Sequence, residues 1–182
     1  MVNLISSSTS RAKILDNFGI DFKQIPFRYD ETLVLKKDPF TYSYCVTKLK
    51  EEQFLSTYDN MTNLLFADSS VIVKGKIYGK AKDEDSAYTM LKAQSGNISS
   101  IVSSFIYITS KFRVENTSIT TYKFSDFDES DLKDYIKSGE CFNKAGAMMI
   151  EGFNKKYIIS QKGNTSTAMG LNAEILKAYL CL

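Results

Sequence analysis

Arg11, Lys48 and Lys80, together with Asp30, Glu31 and Asp68, are the side chains in this sequence whose types and placement can do phosphate chemistry. If folding gathers them, lysine and arginine neutralise phosphate oxygens while carboxylates hold a hard divalent cation, the arrangement that a triphosphate with a divalent ion requires. Ser6-Ser7-Ser8-Thr9-Ser10 runs directly into Arg11, at a point where a strand is expected to give way to a helix. A helix N-terminus offers unpaired N–H groups and partial positive charge, serine hydroxyls add donors, and arginine adds a planar fork suited to phosphate. Asp68 follows the continuous apolar run Leu64-Leu65-Phe66-Ala67, so a buried strand is expected to deliver a carboxylate at its end. Taken singly, each of these charges is also what an ordinary solvated surface carries, and only convergence gives them meaning.

The elements that must position them follow from periodicity and punctuation. A strand at residues 2–5 precedes a helix at about 11–18, which Gly19 ends, and a second strand covers 21–26. Pro39 is expected to start a helix running to about Tyr58, with Tyr42, Cys45, Val46 and Leu49 on one face and Lys48 on the charged remainder. The strand at 63–67 places Asp68 at its carboxyl end, where open α/β sheets bind ligands. Residues 70–73 and 77–78 read as a hairpin turning near Gly75 and leading to Gly79-Lys80. Asp83 caps a helix at 84–94, paired strands follow at 98–109 and 111–124, and a helix covers 128–137. A strand at 156–160 and a closing helix at 172–181 complete the chain. No repeat, linker or low-complexity tract interrupts it, so the expectation is one α/β domain over residues 1–182, with a mixed sheet and two lobes flanking a cleft.

Composition removes several kinds of chemistry. The sequence of 182 residues contains no histidine, which excludes Ser-His and Cys-His nucleophiles and leaves proton transfer to carboxylate, lysine or tyrosine. Cys45, Cys141 and Cys181 are widely spaced and odd in number, which argues against a disulfide framework or a structural zinc site. With 23 basic and 21 acidic residues the net charge is +2, so no DNA or RNA polymer is expected as partner. No apolar run is long enough to span a bilayer and no signal-peptide pattern opens the chain, so a cytoplasmic location away from membranes is expected. Neither a Gly-x-Gly-x-x-Gly nor a P-loop pattern occurs, which leaves phosphate binding to side chains.

Together these motifs resemble the Maf family of nucleoside triphosphate pyrophosphatases, also called septum-formation proteins. Ser6 to Arg11 resembles the family's Ala-Ser-x-Ser-Pro-Arg-Arg segment, with Arg11 at the second arginine. Asp30-Glu31 matches its Asp-Glu pair, Lys48 fits the lysine of its Ala-x-x-Lys helix with Cys45 at the alanine, and Ala67-Asp68-Ser69-Ser70-Val71 resembles Ala-Asp-Thr-x-Val. Gly79-Lys80-Ala81 is similar to Gly-Lys-Pro, and Lys144-Ala145-Gly146-Ala147 is similar to the late Lys-Ala-Gly-Ala block. Ser99 stands where the family has histidine, and Gly170-Leu171-Asn172 where it has Gly-Leu-Pro. Lys144-Ala145-Gly146 points toward members acting on dTTP and UTP, while Glu151-Gly152-Phe153 points toward the 7-methyl-GTP subgroup, which leaves the base open.

The resemblance implies a Maf/ITPase-like fold and hydrolysis of a (d)NTP to (d)NMP and pyrophosphate, assisted by Mg2+ or Mn2+. On that reading Asp68 orients or deprotonates water, Glu31 and Asp68 hold the metal, and Lys48 completes the catalytic set. Ser6, Ser8, Arg11 and Lys80 hold phosphates, and Glu151 is offered to the base, while Tyr29, Tyr44, Met148 and Met149 read first as core. The alternatives are a house-cleaning enzyme for noncanonical nucleotides such as dITP or XTP, and a nucleotide-binding regulator of cell division. A homodimer is the assembly to test.

Overall fold

The computed structural model describes residues 1–180; the expected end of the closing helix at Cys181 lies outside them. The chain runs β1 (Val2–Leu4), α1 (Thr9–Asn17), β2 (Phe22–Gln24), α2 (Tyr42–Leu55), β3 (Leu64–Val73), β4 (Lys76–Tyr78) and α3 (Glu84–Gln94). It continues with β5 (Ile98–Ile108), β6 (Arg113–Phe124), α4 (Glu129–Lys137), a short 3-10 helix (Phe153–Tyr157), β7 (Ile158–Lys162), α5 (Thr165–Met169) and α6 (Ala173–Leu180). The strands form one mixed sheet ordered β2-β1-β3-β5-β6-β7, with β4 pairing with the far end of β3, off that path. β1 pairs in parallel with β2 and β3, and the other pairs are antiparallel.

The hydrophobic core divides around the middle of β3. One cluster joins Leu4, Ile14, Leu15, Leu65 and Leu176 behind α1 and α6, and another joins Val71, Leu91, Phe124, Leu132 and Ile136 beneath α3 and α4. A cleft of about 1620 Å³ draws lining from both, including Ala67 and Met169 from the first side and Val71 and Met148 from the second. That volume exceeds the roughly 300–1,000 Å³ of ordinary small-ligand pockets.

Several expectations change in detail. β3 does not stop at Asp68: it continues through Val73, because β5 pairs with it along its whole length, from Leu64↔Ile108 to Val73↔Ser99. The carboxylate therefore projects from mid-strand, not from a strand end. The helix expected from Pro39 begins at Tyr42, after turn residues, and ends at Leu55. β7 starts at Ile158 since the 3-10 turn precedes it, and the five-residue α5 is too short to show a periodicity. The β3–β4 turn is as expected, with Lys74 and Gly75 both at positive φ (50° and 76°), the geometry of a type I′ hairpin.

Candidate active site

β1 leaves the sheet after Ile5, whose amide still reaches β3, because the Ser6 amide bonds locally, back to the Leu4 carbonyl at 3.1 Å. The chain then turns through Ser6 and Ser8 into α1. Ser8 is the N-cap, its hydroxyl accepting the Arg11 amide at 3.3 Å, and its own amide donates to Ser6 Oγ at 3.2 Å.

Arg11 is buried, and its guanidinium is spent on neutral acceptors. Nε donates to the Gly170 carbonyl at 3.0 Å, Nη1 to Ser6 Oγ and Nη2 to Ser69 Oγ, each at 3.3 Å. It makes no ion pair among the described residues. Desolvation pulls its pKa below the ordinary arginine value, and the nearby charges of Asp68 and Glu31 oppose that pull. A cation so placed is poised to accept an anion entering the cleft.

In the same cleft, Lys50 Nζ lies 2.8 Å from Asp68 Oδ1 and 2.8 Å from Glu31 Oε1. The same ammonium sits 5.5 Å from the centre of the Tyr29 ring, and the Tyr29 hydroxyl donates to the Ile5 carbonyl at 3.1 Å. Burial raises the Tyr29 pKa, which keeps the phenol a donor. Burial also raises Tyr42, which lines the cleft, with Asp68 and Glu31 adding to it. Each bridging carboxylate keeps its second oxygen free of hydrogen bonds among the described residues.

Lys48 is the correction. It does not line the cleft; it faces outward to Glu51 at 3.6 Å, with a side chain 44% exposed against 10% for Lys50. Two residues along a helix turn a side chain by about 200°, so the two lysines cannot share a site. A signal was present: the buried face of α2 is Ser43, Val46, Thr47, Lys50, Glu51 and Phe54, which places Lys50 between Val46 and Phe54 at helical spacing. A lysine inside such a stripe needs a partner.

Lys80 lines the cleft, held by a bridge to Ala145, and Glu151, Lys144 and Met148 line it too. Asp30 turns away to its own loop, accepting from the Thr32 amide and hydroxyl. Tyr44 is outside the cleft, donating to Glu115 at 2.6 Å, and Met149 packs against Gly152. Ser99, where the resemblance expects histidine, is fully buried, and its hydroxyl has no partner among the described residues.

A single mixed α/β sheet whose central strand carries a lysine-bridged carboxylate, in one cleft with a serine-lined helix N-terminus, makes this a single-domain α/β protein with a cleft of mixed charge. The profile of the Maf-like protein family matches residues 1–181, and the chain belongs to that family. A protein of Campylobacter jejuni (strain RM1221) named nucleoside triphosphate pyrophosphatase is 47% identical over 184 residues, covering 99% of this chain and 100% of its own length. Proteins of the same name from a Nitratiruptor species and from Helicobacter pylori (strain Shi470) are 43% and 32% identical, each over 97% of this chain and over 96% and 93% of their own lengths respectively.

Proposed function

We propose that this protein hydrolyses a nucleoside triphosphate to the nucleoside monophosphate and pyrophosphate. The observation that carries the reading is the pairing of a buried Arg11, bonded to neutral acceptors behind serine hydroxyls, with a carboxylate pair bridged by Lys50. The names of the relatives support the same activity.

Arg11, Lys80 and the Ser6 and Ser8 hydroxyls hold phosphate oxygens, so that the α-phosphorus faces Asp68. Asp68 takes a proton from water as the water oxygen bonds to that phosphorus. The bond to the bridging oxygen breaks, and its electron pair leaves on pyrophosphate. Most of the acceleration comes from positioning and charge neutralisation, because phosphoryl chemistry asks little covalent work of a protein. Glu31 and Asp68 would hold Mg2+ or Mn2+ by their free oxygens, since two carboxylates completed by phosphate and water are an ordinary donor set for such ions. When bound, the ion neutralises charge on the triphosphate. Glu151 and Met148 are offered to the base, with dTTP, UTP or a modified nucleotide as the candidate substrates.

Pyrophosphate release from a panel of canonical and modified nucleotides, with Mg2+ or Mn2+, tests the reading beside the Asp68→Asn variant. The variant is expected to lose about a hundredfold or more in turnover with an unchanged circular dichroism spectrum. Turnover by the variant at the wild-type rate removes Asp68 from the chemistry.

A further inference from the structure

The sheet has a gap in its hydrogen-bond ladder, and the gap opens into the cleft. β1 pairs with β3 only as far as Leu4↔Leu65, and β4 joins the same side of β3 only from Val71↔Tyr78. The parity along β3 is fixed by its neighbours. The Leu65 carbonyl accepts the Ile5 amide at 2.9 Å, so Leu65 points its main-chain groups toward β1. Val71 and Val73 point the same way, toward β4. N–H and C=O alternate sides along a strand, so Ala67 and Ser69 also face this side, between the two partners and paired with neither. Their even-numbered neighbours, Phe66, Asp68 and Ser70, bond to β5 instead.

Buried main-chain donors are nearly always satisfied, by protein, water or ligand. Ala67 and Ser69 both line the cleft, and Ala67 is 2% exposed. Among the described residues, no main-chain bond outside the ladders uses either residue. Ser69 Oγ meanwhile accepts Arg11 Nη2, which brings the guanidinium to the same stretch of strand. The amide that follows Asp68 in sequence thus opens on the space that Arg11 and Asp68 share.

We infer that the unpaired edge of β3 is part of the substrate site, with the Ser69 N–H donating to a non-bridging oxygen of the phosphoryl group under attack and the Ala67 N–H donating to the adjoining phosphate. The inference rests on the pyrophosphatase reading and deepens it: the strand that carries the acid-base group also supplies main-chain donors for the charge that develops in the transition state. Such donors are preorganised by the sheet and need no side-chain ordering.

Proline substitution isolates the amide, because proline removes the N–H and is tolerated where that N–H lies outside the ladder. Ser69→Pro is compared with Ser69→Ala, which loses the hydroxyl and keeps the amide. The expected result is turnover about a hundredfold lower in Ser69→Pro than in Ser69→Ala, the scale of losing one oxyanion donor. Ser69→Pro is expected to melt close to Ser69→Ala, whereas Ser70→Pro, whose amide bonds to β5, melts well below both. Equal turnover of the two Ser69 variants overturns the inference. A second readout uses the wild-type protein: amide NMR with the α,β-imido form of the fastest nucleotide from the panel, in which the Ser69 and Ala67 amides shift and gain exchange protection. Binding of that analogue with both amides unmoved overturns the inference even if Ser69→Pro fails to fold. Absence of both analogue binding and pyrophosphate release in the wild type removes the functional reading itself, and this inference with it.

Discussion

Helix α3 begins at Asp83, whose carboxylate accepts the Ser86 amide at 2.7 Å while the Asp83 amide donates to Ser86 Oγ at 3.1 Å, a reciprocal cap. Helix α2 begins at Tyr42, its N-cap Thr41 making no side-chain cap, and buries Lys50 and Glu51 among Val46, Thr47 and Phe54. What holds α2 comes from elsewhere in the chain. Arg113 grips Glu51 through two nitrogens, one at 2.8 Å, and bonds to Glu115, which accepts the Tyr44 hydroxyl. Ser43 Oγ meets Ser104 Oγ at 2.8 Å beneath the helix. Arg113 is correspondingly held above the ordinary arginine pKa, the bond to Glu51 being the largest cause. The helix that lines the cleft with a buried lysine is thus specified by tertiary contacts, and the helix that closes a core is specified by its own ends. A local rule is broken where a charge is buried beside the cleft.

Substitutions can break this contrast, and the largest effect is expected at Lys50. Lys50→Ala should lower turnover by about a hundredfold or more, as for removal of a positioned charge, while Lys48→Ala stays within about twofold in a steady-state pyrophosphate assay. Equal losses at the two lysines would mean that the rotation of α2 seen here is not the working one. Arg113→Ala comes next: it leaves Glu51 buried without its partner and should cost about 2 kcal/mol, less than for a fully buried pair because the arginine is partly exposed. Urea unfolding measures that loss, and a midpoint equal to the wild type would show that α2 is held by packing alone.

The smallest effect belongs to α3. Hydrogen bonds from the Ser86 hydroxyl and amide hold the Asp83 carboxyl below its ordinary pKa of 3.8. A carboxylate whose folded pKa is depressed stabilises the fold above its unfolded pKa, and that contribution is lost as pH falls through the folded value. Asp83→Asn should therefore flatten the dependence of melting temperature on pH in the region around and below 3.8 while leaving turnover at neutral pH alone. A slope identical to the wild type would show that the cap is not titrating.

The capped helices, the apolar strand ahead of Asp68, the Lys74-Gly75 hairpin and the serine turn before Arg11 were all legible, because each rests on spacing or backbone preferences within a few residues. The lysine that meets Asp68 and Glu31 in the cleft is Lys50 and not the expected Lys48, since the face of an uncapped helix is decided by what packs on it, here β3 and β5. Asp68 was expected at a strand end, and only its antiparallel partner β5, whose pairing extends past it, keeps the strand going.

By itself the sequence determined which side chains were available: no histidine, an arginine behind serines, an aspartate after an apolar run and a glutamate after the second strand. Tertiary structure alone decided which lysine meets the two carboxylates, that Gly170, far along the chain, supplies the carbonyl for Arg11, and that the β3 edge stays unpaired between β1 and β4. The physical reason is range. Caps and turns are settled by atoms a few residues apart, whereas the partner of a buried charge and the end of a ladder depend on which distant segments pack there.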